Sequence, residues 1–154
     1  MTQQQVFGRL QAMVGKEVQV SDWLEITQQR INAFADATDD HQWIHCNPER
    51  AAREAPLGRT IAHGYLTLSL YPGLGGLVDG DARFPGARSV INYGINRLRF
   101  PAAVPVGSRI RGHVTLLAVE EVAGGLQVTE QYTAEIEGGG KPACVAEVVI
   151  RLTF

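Results

Sequence analysis

The strongest regularity in this chain is the two-residue alternation of its C-terminal half. Cys144, Ala146, Val148, Ile150 and Leu152 alternate with Val145, Glu147, Val149, Arg151 and Thr153. Ile110, Val114 and Leu116 alternate with Arg109, Arg111, His113 and Thr115. Successive side chains on a strand point to opposite faces, so this pattern predicts antiparallel strands with one covered face. Four strands are expected, over residues 89–100, 108–122, 126–136 and 143–154. Gly124-Gly125 and Gly138-Gly139-Gly140 supply turns between the last three.

The N-terminal half carries a helical period instead. Val6, Leu10, Met13 and Val14 share one side of a short helix over residues 2–14. Residues 16–26 read as extended chain, with β-favouring Val18, Val20 and Trp23. Thr27 reads as the N-cap of a helix over residues 28–37, whose apolar stripe is Ile31, Phe34 and Ala35. Thr38-Asp39-Asp40 ends it in turn formers, with Asp39 suited to an unusual φ. Residues 41–47 are expected to be an irregular connection. Asn47-Pro48 opens a helix over residues 48–54 with proline in its first turn, and residues 55–59 form a loop.

Residues 61–78 contain no Asp, Glu, Lys or Arg. A membrane-spanning helix needs about 20 mainly apolar residues, and this stretch holds His63, four glycines and Pro72. It reads as a buried core helix from about residue 63 to 71, broken at Pro72. Helices first and a strand meander afterwards predict an α+β layer, a curved antiparallel sheet packed on that central apolar helix. No repeat or linker divides the 154 residues, so one domain over 1–154 is expected.

Composition narrows the function classes. The formal net charge of −2 does not favour a general nucleic-acid or anionic-membrane surface. The start of the chain lacks the basic and apolar regions of a secretory signal. Cys46 and Cys144 lie far apart and form no paired motif, which suits free thiols in the cytoplasm.

The chemistry concentrates in two stretches, Asp40-His41-Gln42-Trp43-Ile44-His45 and Ile61-Ala62-His63-Gly64. Adding water to a polarised double bond needs a base to activate the water and a proton for the neighbouring carbon. Asp40 and His45 sharing one water supply both. On spacing alone, Asp40 as a helix cap and His45 as an ordinary polar residue is the plainer reading. His41 is the alternative imidazole and Asp39 the alternative carboxylate. Cys46 beside His45 raises a Cys–His nucleophile, which ranks lower because chain neighbours in extended backbone point apart. Gly64 opens the apolar helix, where a backbone N–H without a flanking Cβ is a candidate donor to a thioester oxygen. Close helix–sheet packing explains the same glycine, and a cap explains His63. Together the two stretches favour the catalytic reading. Arg97, Arg99, Arg109 and Arg111 flank residues 101–107. They read first as a solvated sheet face and second as a phosphate site. No convincing cluster of metal ligands is present.

Five segments carry a family resemblance: 34-FADATDDHQWIH-45, 47-NPERA-51, 61-IAHG-64, 93-YGINRLRFP-101 and 104-VPVGS-108. With them the chain resembles the MaoC-like (R)-specific enoyl-CoA hydratases of hot-dog fold, closest to their nodulation-protein-N-like branch. The resemblance implies that Asp40 and His45 activate water and that Gly64 N–H holds the thioester oxygen, with Asn47 and His63 in support. It implies a cytoplasmic homodimer acting on an acyl-CoA or acyl-carrier thioester, without a cofactor, nucleic acid or membrane. The acyl tunnel would be walled by parts of residues 65–77 and 89–93, beginning at Tyr65, with Arg97 and Arg99 as candidate carrier contacts. Many members have Gly-Asp-x-Asn-Pro-x-His where this chain has Asp39-Asp40-His41-Gln42-Trp43-Ile44-His45. The Asp-to-His spacing survives that change. On the same fold, a thioesterase or a non-catalytic acyl-thioester binding module is the alternative.

Overall fold

In the computed structural model, which describes residues 1–154, the expected strands form with ends shifted by a residue or two. They are β3 (Ser89–Arg99), β4 (Arg109–Val122), β5 (Gly125–Ile136) and β6 (Cys144–Thr153). Two shorter strands precede them, β1 (Glu17–Val20) and β2 (Leu24–Glu25). All pair antiparallel in the order β1-β4-β5-β6-β3, and β2 also pairs with β4. The turn between β4 and β5 uses Gly124 at φ 85°, a left-handed conformation that costs glycine nothing.

The four long strands are therefore not one meander. β3 pairs with β6, from Ser89 opposite Thr153 to Arg99 opposite Val145. The connection from β3 to β4 crosses from one side of the sheet to the other. Alternation reveals which face a residue takes, not which strand lies beside it. The outer edge of β3 has no strand partner, and its residues 91–97 are exposed on both faces.

Seven helices accompany the sheet: α1 (Gln3–Gln11), α2 (Gln28–Thr38), α3 (Trp43–Cys46), α4 (Pro48–Glu54), α5 (Gly64–Ser69), α6 (Tyr71–Leu74) and α7 (Gly80–Arg83). Caps set their starts as the sequence requires. Thr27 Oγ1 accepts from Arg30 N at 3.1 Å, and Asn47 Oδ1 accepts from Arg50 N at 2.9 Å. Asp39 ends α2 at φ 59°. Residues 41–47 are not irregular, because they hold the single turn of α3. That turn is too short to show a 3.6-residue period. The apolar helix breaks at Leu70, two residues before Pro72, and resumes as α6. Proline lacks an N–H and is tolerated in the first turn of a new helix. The short α7 carries no sequence period either.

The sheet curves around α5 and α6. A Cβ on Gly112 of β4 would lie 2.8 Å from Leu74 Cβ, so glycine permits the close approach of α6. Leu66, Tyr71 and Leu74 are buried against Ile110, Val114, Tyr132 and Ile150. Val6 and Leu10 of α1 extend the same core. Burial of such side chains is worth roughly 1.5–3 kcal/mol each. Glu130 of β5 is fully buried, paired with Arg83 and accepting from Tyr71 Oη at 2.6 Å. No helix is long and apolar enough to cross a membrane. Cys46 and Cys144 are free thiols.

Candidate active site

Asp40, His45 and His63 meet, although 23 residues separate the first from the last. One side-chain donor atom from each lies within 4.8 Å of the others. Asp40 follows the left-handed residue that ends α2, His45 lies in α3, and His63 precedes α5. Backbone hydrogen bonds fix the meeting: Ile61 N donates to Ile44 O at 3.0 Å, and Ala62 N donates to Val104 O at 2.8 Å.

Hydrogen bonds define the imidazole tautomers. His45 Nδ1 lies 2.7 Å from Ile61 O, so it carries the proton and Nε2 keeps its lone pair. His63 Nε2 donates to Asp40 O at 2.9 Å, which leaves His63 Nδ1 buried without a partner. The two rings stack, centroids 3.8 Å apart and planes 25° from parallel. Phe34 packs against His63 with centroids at 4.9 Å.

These surroundings set the protonation states. Desolvation lowers the His45 pKa, and neighbouring His63 lowers it further, against the opposing Ile61 carbonyl and Asp40. For Asp40, desolvation opposes ionisation. Hydrogen bonds from the Gln42 side chain and backbone, with both histidines nearby, outweigh it and hold the carboxyl below its ordinary value. The pair therefore starts as carboxylate and neutral imidazole.

Asp40, His45, His63, Gly64, Tyr65 and Phe100 line a cleft of about 210 Å³. The Gly64 N–H makes no backbone hydrogen bond. A Cβ at Gly64 would lie 3.0 Å from the Phe100 ring, so the glycine keeps that wall open. Tyr65 is 66% exposed at the cleft rim and meets Phe100 edge-on, centroids 5.9 Å apart. A divalent cation would find its donors in Asp40, His45 and His63. Stacking sets the two imidazole planes nearly parallel, however, and a tetrahedral centre wants lone pairs aimed at one point. The trio suits proton transfer better than metal binding.

The other expected residues distribute unevenly. Asn47 caps α4 and does not line the cleft. Arg97 and Arg99 are exposed near the end of β3, the latter donating to Leu98 O at 2.6 Å. Arg109 and Arg111 lie across β5 and β6 from them and pair with Glu137 and Glu135. The four arginines form no single phosphate site. His41 turns to Asp36 at 2.9 Å.

Two supporting residues escape sequence reasoning. Gln28 Nε2 donates to His45 O at 2.7 Å while Gln28 Oε1 accepts from Thr60 Oγ1 at 2.5 Å. One amide so holds α3 against residue 60. Phe100 reads in sequence as the end of a strand inside the family-like segment 93–101, with nothing local to place its ring against Gly64.

The fold is a hot-dog sheet around a buried helix, and its cleft brings a carboxylate and an imidazole beside a backbone amide that makes no backbone hydrogen bond. The chain belongs to the family of MaoC like domains, which it matches over residues 9–137, and thus to the hydratases and dehydratases. It is 52% identical over 143 residues to 3-hydroxyacyl-thioester dehydratase Z of Mycobacterium tuberculosis, covering 92% of each chain. It is 42% identical over 142 residues to Nodulation protein N of Rhizobium leguminosarum bv. viciae, covering 92% of this chain and 87% of the relative. Among solved structures it resembles the (R)-hydratase from A. caviae involved in PHA biosynthesis. There the TM-score is 0.72 at 28% identity, covering 90% of this chain and 96% of the other.

Proposed function

We propose that this protein reversibly hydrates a 2-enoyl-CoA to the (R)-3-hydroxyacyl-CoA, with Asp40 and His45 handling the water. The carrying observation is the convergence of those two groups on the cleft that Gly64 also lines. Asp40 starts ionised and His45 neutral, with its one ring proton held on Ile61 O, so neither has a proton to give to C2. The proton that reaches C2 is therefore the one removed from water as its oxygen bonds C3. His45 Nε2 takes that proton and returns it, while Asp40 orients the water and stabilises the imidazolium. Gly64 N–H donates to the thioester oxygen, which carries negative charge between the two events. Such a donor is worth about 3 kcal/mol in related chemistry.

The acyl tail has a path. Tyr65, Leu68, Ser69 and Pro72 recur at helical spacing on one side of α5–α6. The last three line a groove of about 430 Å³ against Tyr93, Gly94 and Ile95 of β3. His63 supports Asp40 through its carbonyl, Asn47 supports the chain after His45, and Arg97 and Arg99 are the cations free to meet a phosphate of the carrier. Relatives named as thioester dehydratases and (R)-hydratases support the reading.

Asp40→Asn and His45→Ala are each expected to lower turnover of crotonyl-CoA by at least about 10²-fold, the lower range for general acid–base groups. Loss of enone absorbance without release of free thiol identifies hydration. Thiol release would identify a thioesterase instead, and binding without turnover a carrier module.

A further inference from the structure

Gln28 opens α2, and its amide ties His45 to a distant stretch of chain. Nε2 donates to His45 O at 2.7 Å, and Oε1 accepts from Thr60 Oγ1 at 2.5 Å. Chemistry fixes which end of the amide faces which partner, because a carbonyl oxygen only accepts and so requires the Nε2 end. The other Nε2 hydrogen goes to Asn32 Oδ1 at 2.9 Å. Thr60 is fully buried, and its carbonyl accepts from Val106 N at 2.9 Å.

These bonds close a circuit around the proposed base. It runs from His45 O through the Gln28 amide to Thr60, and along one peptide bond to Ile61. From Ile61 O it returns to the His45 ring at Nδ1, 2.7 Å away. The backbone of His45 and the acceptor that fixes its tautomer are thus held to one side chain. His45 needs that support. It lies in the single turn of α3, and one turn does not persist alone. The last carbonyls of a helix lack intrahelical donors. Pro48, three residues beyond His45, has no N–H to offer. Gln28 supplies the missing donor. We infer that Gln28 and Thr60 are positioning residues for the proton transfer, holding His45 so that Nδ1 stays on Ile61 O and Nε2 stays free for the water. Neither residue lines the cleft, so their effect passes through His45. This inference rests on the proposed role of His45 as the base.

The test uses the full-length protein and its Gln28→Met, Thr60→Val and Thr60→Ser variants, with thermal melts confirming that each folds. Valine matches the shape of threonine without the hydroxyl, and serine restores the hydroxyl. Gln28→Met and Thr60→Val are each expected to lower kcat on crotonyl-CoA about tenfold with KM little changed, within the ~10²-fold that a misplacement of about 1 Å can cost. Thr60→Ser is expected to keep the wild-type rate. Proton NMR reads the same circuit without substrate. The His45 Nδ1–H signal, identified by its loss in His45→Ala, is expected to persist in the wild type and Thr60→Ser. In the other two variants it is expected to vanish by exchange with water. The inference is overturned if Gln28→Met and Thr60→Val both keep the wild-type kcat, or if both keep the ring-proton signal. Absence of crotonyl-CoA hydration in the wild-type protein is a different result. It would remove the hydratase reading, and the ring-proton signal alone would then decide whether Gln28 and Thr60 hold His45.

Discussion

At the scale of single residues, the site is governed by which lone pairs remain free. His45 donates its Nδ1 proton to Ile61 O and so keeps the Nε2 lone pair free, as the proposed base requires. Its pKa lies below the ordinary 6.5, chiefly through desolvation. Turnover of crotonyl-CoA is therefore expected to be flat through neutral pH and to fall only as pH drops below 6.5, when imidazolium forms. An acid limb centred above 6.5 in kcat against pH would contradict this assignment. Stability follows the same sign. The unfolded chain binds a proton at His45 more readily than the folded one. His45 thus contributes fully above 6.5, and its contribution is lost as pH falls through the lower folded value. His63 makes a different trade. Its unpartnered Nδ1 costs about 1–3 kcal/mol, offset by the bond to Asp40 O and the stack on His45.

At the scale of elements, short helices are pinned by polar side chains rather than by their own length. An isolated single turn is unstable because nucleating it fixes several residues for one hydrogen bond. α3 is held by Gln28, and α7 by Arg83, which donates to Gly75 O at 2.7 Å and pairs with Glu130. Replacing Arg83 with Met leaves the Glu130 carboxylate buried without its cation. That is expected to destabilise the fold by about 3–5 kcal/mol, read as a shift in the denaturant midpoint with unchanged slope. Tyr71 donates to the same carboxylate and borders the groove proposed for the acyl tail, so this variant is also expected to weaken substrate binding.

At the scale of the whole molecule, the outer edge of β3 is the feature the single chain leaves incomplete. It presents unpaired backbone groups and exposed Ile91, Tyr93 and Ile95, the last two on the wall of the groove proposed for the acyl tail. Bare apolar edges invite strand pairing. We propose that a second copy pairs there, extending the sheet and roofing the groove. Sedimentation is expected to give the mass of two chains, and Ile95→Lys to give one chain with a raised KM. An unchanged mass in that variant would place the partner elsewhere.

The sequence by itself determined the strands, the caps at Thr27 and Asn47, and the buried uncharged helix. These depend on periodicity and on side-chain chemistry within a few residues of chain. It also marked Asp40, His45 and Gly64, because their spacing and neighbours match a family pattern. Only the tertiary structure decided that β3 lies beyond β6, that Arg97 and Arg99 stand apart from Arg109 and Arg111, and that His63 stacks on His45. The same holds for Gln28 and Phe100. Each of these contacts joins residues far apart in sequence, and packing around one core brings them together without leaving a local period to read.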